Sequence, residues 1–99
     1  MVRITRSVAE KRLGNASHDK QFWCHDGRYL KNLRELEAAL EQMTEETFRY
    51  HVNETKNDFS AWVRDVIGDE KLSSDLRKST SRTQAAKCVA DRIAWLSGK

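Results

Sequence analysis

The sequence predicts a mainly α-helical protein, in which a small β-hairpin is followed by a compact bundle of four to five short helices. Its 99 residues contain no proline, the strongest helix breaker. From residue 33 onward, apolar residues recur at intervals of three and four, which is the spacing of one helix face. A single Asp-Gly dipeptide flanked by aromatic residues predicts the hairpin that precedes these helices.

The first twenty residues are predicted to form a partly flexible arm, and residues 21–99 a single helical domain. Within the arm, Ser7 and Glu10 have the spacing of a capping box. Gly14 stands where a short helix over residues 8–13 would end. We therefore expect one or two turns of helix and a loop before the domain.

The hairpin is predicted within residues 21–30. Asp26 and Gly27 favour a two-residue type I′ turn, because both central residues of that turn need a positive φ. Successive residues of a strand point to opposite faces, so Phe22 and Trp23 should face opposite sides of the hairpin.

The later helices are predicted from their start signals and their apolar stripes. The residues expected to begin them, whose side chains can accept a hydrogen bond from the first turn, are Asn32, Thr44, Asn57, Asp69 and Ser81. Gly68 is expected to end the helix before Asp69. The apolar residues expected to face the core are Leu33, Leu36, Ala39, Leu40, Met43, Phe48, Val52, Phe59, Trp62, Val63, Val66, Leu72, Leu76, Ala85, Cys88, Val89, Ile93 and Leu96.

The charge and cysteine patterns limit the classes of function. The net charge is +3, and the basic residues concentrate in the first twenty and the last third of the chain. No apolar run approaches the roughly 18 residues that a membrane helix requires, and no signal sequence is recognisable. The chain has only two cysteines, far apart in sequence, and we expect both to be reduced thiols and not a disulfide. We expect a cytoplasmic protein without a membrane partner.

A set of residues between positions 22 and 96 carries a family resemblance. They are Asp26, Gly27, Leu30, Asn32, Leu33, Glu35, Leu36, Ala39, Leu40, Met43, Phe48, His51, Asn57, Asp58, Phe59, Trp62, Val63, Val66, Gly68, Asp69 and Leu72. On these residues the chain resembles the domain of unknown function 5752 family, a small prokaryotic family, and residues 57–63 are the most specific part. The resemblance implies an accessory or regulatory module. It implies no reaction, cofactor or catalytic residue.

No constellation of residues predicts an enzyme, a metal or a cofactor. His51 has Asp58 seven positions on, and such a pair can transfer protons. In the structural interpretation, which we favour, the His51 ring instead bridges two helices by a hydrogen bond. Cys24 and His25 are adjacent and lack the paired spacing of zinc ligands.

Two functions remain open from the sequence. The first is an uncharacterised small non-catalytic interaction or regulatory module, which binds a protein partner or forms a homo-oligomer. Its candidate surface residues are Trp23, Trp95 and His51, because aromatic residues are enriched at interfaces. The alternative is a small nucleic-acid-binding protein that uses its basic N- and C-terminal segments. The candidate contacts for nucleic acid are Arg3, Arg6, Lys11, Arg12 and Arg82.

Overall fold

The computed structural model describes residues 4–99, which form six α-helices and one hairpin. The elements in chain order are α1 (Arg6–Leu13), a 3₁₀ turn (His18–Lys20), β1 (Phe22–Trp23), β2 (Tyr29–Leu30), α2 (Leu33–Gln42), α3 (Glu45–His51), α4 (Asp58–Trp62), a π-helical turn (Val63–Ile67), α5 (Glu70–Lys78) and α6 (Arg82–Ser97). The predicted mainly α-helical class is confirmed, with five helices after the hairpin. No helix in the described part of the chain is long and apolar enough to cross a membrane.

The first helix begins two residues earlier than predicted. Thr5, and not Ser7, is the cap, and its hydroxyl accepts a hydrogen bond from the Val8 N–H at 3.2 Å. The earlier start brings Arg6 into the helix, where it pairs with Glu10 one turn on, at 3.1 Å. α1 packs against α6 and contributes the buried Ala9 to the core. The predicted flexibility of the first twenty residues stays a prediction. Residues 1–3 lie outside the described part of the chain.

The hairpin forms as predicted, but its turn is of another type. Phe22 pairs with Leu30 and Trp23 with Tyr29 in an antiparallel register. The next pair is closed by a hydrogen bond of 2.8 Å from the Cys24 N–H to the Arg28 carbonyl, which leaves a three-residue loop. Only its last residue, Gly27, has a positive φ, of 99°. The expected type I′ turn is wrong, because that turn needs a positive φ at Asp26 as well.

All five predicted starts of the later helices are confirmed. The side chains of Asn32, Thr44, Asn57, Asp69 and Ser81 each accept a hydrogen bond from the backbone N–H three residues on. Gly68 ends the π-helical turn in the left-handed conformation, with φ 83°. These caps are local signals, so the sequence alone suffices to predict them.

The core lies between α2 and α6, which make the most extensive helix contact in the fold. It is apolar and includes most of the residues predicted for it; Val52, Val66 and Cys88 are only partly buried and pack at its edge. Phe22 turns the inner side of the hairpin toward Phe59 and Trp62, and its strand partner Leu30 is buried on the same side. Their strand neighbours Trp23 and Tyr29 consequently face outward.

Candidate functional site

His51, the last residue of α3, lies where the hairpin meets α4. Its Nδ1 is 2.9 Å from Oδ2 of Asp58, the first residue of α4. Its Nε2 accepts a hydrogen bond of 2.9 Å from the backbone N–H of His25, in the hairpin loop. The ring therefore joins α3 to α4, as the structural interpretation predicts, and also joins α3 to the hairpin.

These contacts fix the tautomer of His51 and remove it from the surface. Because Nε2 accepts from a backbone N–H, the ring proton is on Nδ1 and is donated to Asp58. Both ring nitrogens are thus engaged inside the protein. The side chain is 2 % exposed and lies against Phe22 and Phe59, with ring centroids 5.0 and 5.1 Å away. The prediction that His51 belongs to an interaction surface is corrected on this ground.

Three exposed aromatic rings gather on the outer side of the hairpin, and a fourth exposed aromatic residue, Tyr29, occupies the neighbouring strand position. Trp23 and Tyr29 are cross-strand partners and are 46 % and 65 % exposed. Tyr50, near the end of α3, has its ring centroid 6.3 Å from that of Trp23. The exposed His25 ring lies 6.0 Å from Trp23. We call these four residues the aromatic face.

Tyr50 is held rigidly within the aromatic face. The His25 ring stacks on it at a centroid distance of 3.9 Å and an interplanar angle of 10°. The ammonium group of Lys56 lies 4.9 Å from the Tyr50 centroid. Because the His25 ring stacks so closely on one face of the Tyr50 ring, no room is left there for a second group. Lys56 therefore covers the opposite face of the Tyr50 ring. Tyr50 therefore presents its edge and hydroxyl to solvent.

A groove of about 860 Å³ adjoins the aromatic face. It lies between the connection from α3 to α4 and the ends of α4 and α5. Its charged lining residues are Arg49, Lys56, Arg64, Arg77, Glu54 and Asp58. Lys56 belongs to both regions, because it lines the groove while its Nζ lies over the Tyr50 ring. We call this depression the basic groove.

The four cations of the basic groove differ in how strongly they are engaged. Lys56 binds the Asp58 carboxylate at 3.0 Å. Arg64 pairs with its exposed neighbour Asp65 at 2.9 Å, and this hydrogen bond lowers the pKa of the Asp65 carboxyl. Arg49 is 4.0 Å from Glu45, the limit for an ion pair. Arg77 makes no ion pair with any residue in the range 4–99. The groove therefore has cationic groups available to an anionic ligand.

Trp95, the second predicted surface tryptophan, is 42 % exposed and lies on α6. The Arg92 guanidinium is 4.3 Å and the Lys99 ammonium 4.1 Å from its ring centroid. Within residues 4–99 the Trp95 ring has these two cations as neighbours and is in no pair with another aromatic ring. Trp95 lies outside the aromatic face.

The four predicted nucleic-acid contacts that the structure describes differ in how far they are engaged within the protein. Arg3 lies outside the described residues. Arg6 is exposed and paired with Glu10, and Lys11 is exposed on α1. Arg82 is turned inward at the end of α2, where its Nη1 donates to the carbonyl oxygens of Leu40 and Glu41 at 2.7 and 2.9 Å.

Arg12, the remaining predicted contact, belongs to a buried ionic cluster. Asp69 is fully buried and caps α5. Arg92 binds it through two hydrogen bonds, from Nε at 2.7 Å and from Nη2 at 3.0 Å. The Arg12 guanidinium lies 3.8 Å from the same Asp69 carboxylate and makes the third contact with it. The cluster connects α1, α5 and α6, so Arg12 has a structural partner.

The thiols and histidines form no metal-binding group within residues 4–99. Cys24 is fully buried, and this burial raises the pKa of its thiol. Cys88 is partly buried and its sulfur lies 3.4 Å from the Ser79 hydroxyl. Neither thiol is paired with a histidine that would activate it.

No protein family, curated protein or solved structure matches this chain. The resemblance to the domain of unknown function 5752 family therefore stays a prediction.

Sequence reasoning found Trp23 but not the rest of the aromatic face. The sequence contains a signal that predicts the outward position of Tyr29. Side chains alternate along a strand, so Tyr29 faces away from the apolar Leu30 and lies on the side of Trp23. Tyr50 lies two residues after the buried Phe48, and on a helix that offset points it away from the core. The proximity of α3 to the hairpin, which brings Tyr50 to Trp23, has no local signal.

Proposed function

We propose that the protein is a small non-catalytic interaction module that binds a protein partner through the aromatic face. The observation that carries this proposal is the clustering of the exposed rings of Trp23 in β1, His25 in the hairpin loop and Tyr50 in α3, beside which Tyr29 is the cross-strand partner of Trp23. An isolated exposed aromatic residue is ordinary, whereas a contiguous exposed patch marks an interaction site. Tyr and Trp are also the residues that dominate binding energy at protein interfaces.

The rigidity of the aromatic face supports the same function. His25 is fixed by its backbone bond to His51, and it stacks on Tyr50, which Lys56 covers. Side chains that are ordered before binding lose little conformational entropy when a partner arrives. Two free cysteines, Cys24 and Cys88, support a cytoplasmic setting for this module.

Binding of nucleic acid by the chain ends is the weaker alternative. Arg12 and Arg82 are engaged inside the protein, whereas Arg6 has an acidic partner only in an exposed surface pair. A nucleic-acid surface needs several cations free to contact phosphates. Among the predicted contacts that the structure describes, this leaves Lys11 as an exposed cation without an ion pair.

Affinity capture with matched variants tests the proposed function. Tagged wild-type protein, Trp23→Ser with Tyr29→Ser, and Trp95→Ser are incubated with lysate of the source cells, with and without nuclease. Retained proteins are quantified by mass spectrometry, and a retained protein is then purified and titrated against each variant. We expect the double variant to bind at least 10-fold more weakly than wild type. Trp95→Ser, an exposed tryptophan outside the aromatic face, should bind like wild type.

Two results would reject the proposed function. One is equal binding of the partner by wild type and by the folded double variant. The other is retention of nucleic acid, with all captured protein lost after nuclease treatment. Circular dichroism of each variant establishes that it is folded before its binding is compared.

A further inference from the structure

We infer that the basic groove, together with the aromatic face, binds an acidic peptide segment of the partner. This inference rests on the proposed function and adds the chemical class of the ligand. Nothing in the sequence patterns pointed to this groove, because its lining comes from α3, the connection to α4, α4, the π-helical turn and the end of α5.

The groove and the aromatic face form one continuous surface. Lys56 is the link, since it lines the groove and its Nζ lies 4.9 Å from the Tyr50 ring centroid. A ligand lying along the groove therefore passes Lys56 and the Tyr50 ring beside it. The volume of about 860 Å³ falls within the range of about 300–1,000 Å³ that ligand sites occupy.

The charge of the groove favours an acidic ligand. Its lining has four cationic side chains and two carboxylates, those of Glu54 and Asp58. Asp58 is already bound by His51 and by Lys56, so its charge is compensated within the protein. Arg77 has no acidic partner within residues 4–99, and the pairs of Arg49 and Arg64 are exposed ones that exchange readily for ligand carboxylates.

The walls of the groove suit a peptide in shape and polarity. Asn57 accepts from the Ser60 N–H and donates to the Leu76 carbonyl, and the Ser79 hydroxyl donates to the Asp75 carbonyl. These polar groups are satisfied, so the walls need not reorganise on binding. Val52 and Ala61 add small apolar surface. Such a lining accommodates short side chains between acidic ones.

The same geometry disfavours single-stranded nucleic acid at this site. Recognition of single strands relies on open aromatic faces on which bases stack. The ring of Tyr50 has His25 on one face and Lys56 on the other. Each nucleotide also adds a phosphate, whereas the lining of the groove has only four cationic side chains against two carboxylates. A peptide with a few spaced carboxylates matches this modest positive charge better.

Selection from a peptide library tests the inference with the full chain. A phage library of random 12-residue peptides is panned against the immobilised protein, and the strongest binders are synthesised with a fluorescent label. Fluorescence anisotropy then measures their affinity for wild type, Arg77→Glu, Arg64→Glu and Lys78→Glu. Lys78 is the matched control, because it is an exposed cation adjacent to Arg77 and does not line the groove.

We expect the selected peptides to be rich in Asp and Glu. Arg77→Glu and Arg64→Glu should each weaken their binding at least 10-fold, and Lys78→Glu less than 3-fold. Peptides without acidic enrichment, an absence of selected peptides, or equal effects of Arg77→Glu and Lys78→Glu would overturn the inference. Peptides that depend on Trp23 and Tyr29 but not on Arg64 and Arg77 would overturn it while leaving the proposed function intact. A labelled 20-nucleotide oligothymidylate that binds more tightly than any selected peptide would also overturn it, in favour of nucleic acid.

Discussion

The backbone N–H of His25 donates a hydrogen bond of 2.9 Å to Nε2 of the buried His51. This bond fastens the hairpin loop to the end of α3. The side chain of His25 stacks on Tyr50, the residue before His51, so both parts of His25 contact the same turn of helix. His51 thus positions the aromatic face without being exposed in it.

Replacing His51 should therefore destabilise the whole fold. His51→Ala leaves the His25 N–H without its acceptor, removes a partner of Asp58 and opens a cavity beside Phe22 and Phe59. We expect the free energy of unfolding to fall by about 2–4 kcal/mol. Urea denaturation followed by circular dichroism measures this change.

The exposed His18 provides the control for that experiment. His18→Ala alters a surface residue of the 3₁₀ turn and should change stability by less than about 0.5 kcal/mol. Equal stability of the His51 and His18 variants would contradict the structural assignment of His51.

The buried pair of Asp69 and Arg92 should contribute far more to stability than a surface pair. Asp69→Ala leaves the Arg92 guanidinium, whose side chain is only 12 % exposed, without its bidentate partner. We expect a loss of about 3–5 kcal/mol in the free energy of unfolding, measured in urea. Because Arg92→Met removes the orphaned charge, the double variant should lose less than the sum of the single losses.

An exposed pair on α6 serves as the comparison. Lys87 and Asp91 are 3.1 Å apart, with side chains 75 % and 68 % exposed. Asp91→Ala should cost less than about 1 kcal/mol, because water and salt screen such pairs. Additive losses for Asp69→Ala and Arg92→Met would show that the buried pair is not coupled.

Arg82 should act on stability and not on binding. Its guanidinium caps the end of α2 through the carbonyl oxygens of Leu40 and Glu41. Arg82→Ala should lower the free energy of unfolding by about 1–3 kcal/mol. Arg82→Lys should recover only part of this, since a single ammonium nitrogen cannot bond the two carbonyls and also replace the separate Nε contact with the Glu45 carboxylate.

The readouts for Arg82 are urea denaturation and anisotropy with a labelled oligonucleotide in low salt. Lys78→Ala on the exposed side of α5 controls for the loss of a charge. Unchanged stability together with lost oligonucleotide binding would contradict the capping role and favour the nucleic-acid alternative.

Cys24 should make stability fall at alkaline pH. Burial raises the pKa of its thiol above the ordinary value of 9.0. Below that value the thiol is neutral in both states and contributes no pH dependence. As pH rises above 9.0 the unfolded chain loses the proton first, so the native state binds more protons and its stability declines.

Unfolding free energies of wild type and Cys24→Ala, measured at several pH values on both sides of 9, check this prediction. Above pH 9 the free energy of unfolding should fall more steeply with pH for wild type than for Cys24→Ala. Below that pH the two curves should run parallel. Parallel curves throughout would contradict the assignment. Faster alkylation of Cys88 than of Cys24 in the native protein gives a second check, since Cys88 is partly exposed.

The parts of the fold that the sequence predicts are those that depend on neighbouring residues. Helix starts such as Asn57 and Asp69 were predictable, because a cap bonds to a residue three positions on. The start of α1 was placed at the wrong residue, since Thr5 and Ser7 can both cap and the choice depends on docking Ala9 against α6.

The parts that the sequence does not predict depend on contacts between distant segments. Arg92 lies 23 residues after Asp69 and is its main partner, a contact that no local pattern of residues indicates. The aromatic face needs the hairpin beside α3, and the basic groove needs α3 beside the end of α5. Neither juxtaposition follows from local periodicity.

The indole signals of the three tryptophans test the central claim most directly. Trp23 is in the aromatic face, Trp62 is buried and donates its indole N–H to the Lys20 carbonyl, and Trp95 lies on α6. A ¹H–¹⁵N spectrum of the full chain is recorded while the tightest peptide from the library, or the purified captured partner, is added. We expect the Trp23 signal to shift until binding is saturated, while the signals of Trp62 and Trp95 stay in place. A shift of Trp95 with no change at Trp23 would contradict this expectation, because the binding surface would then lie on α6 and not on the aromatic face.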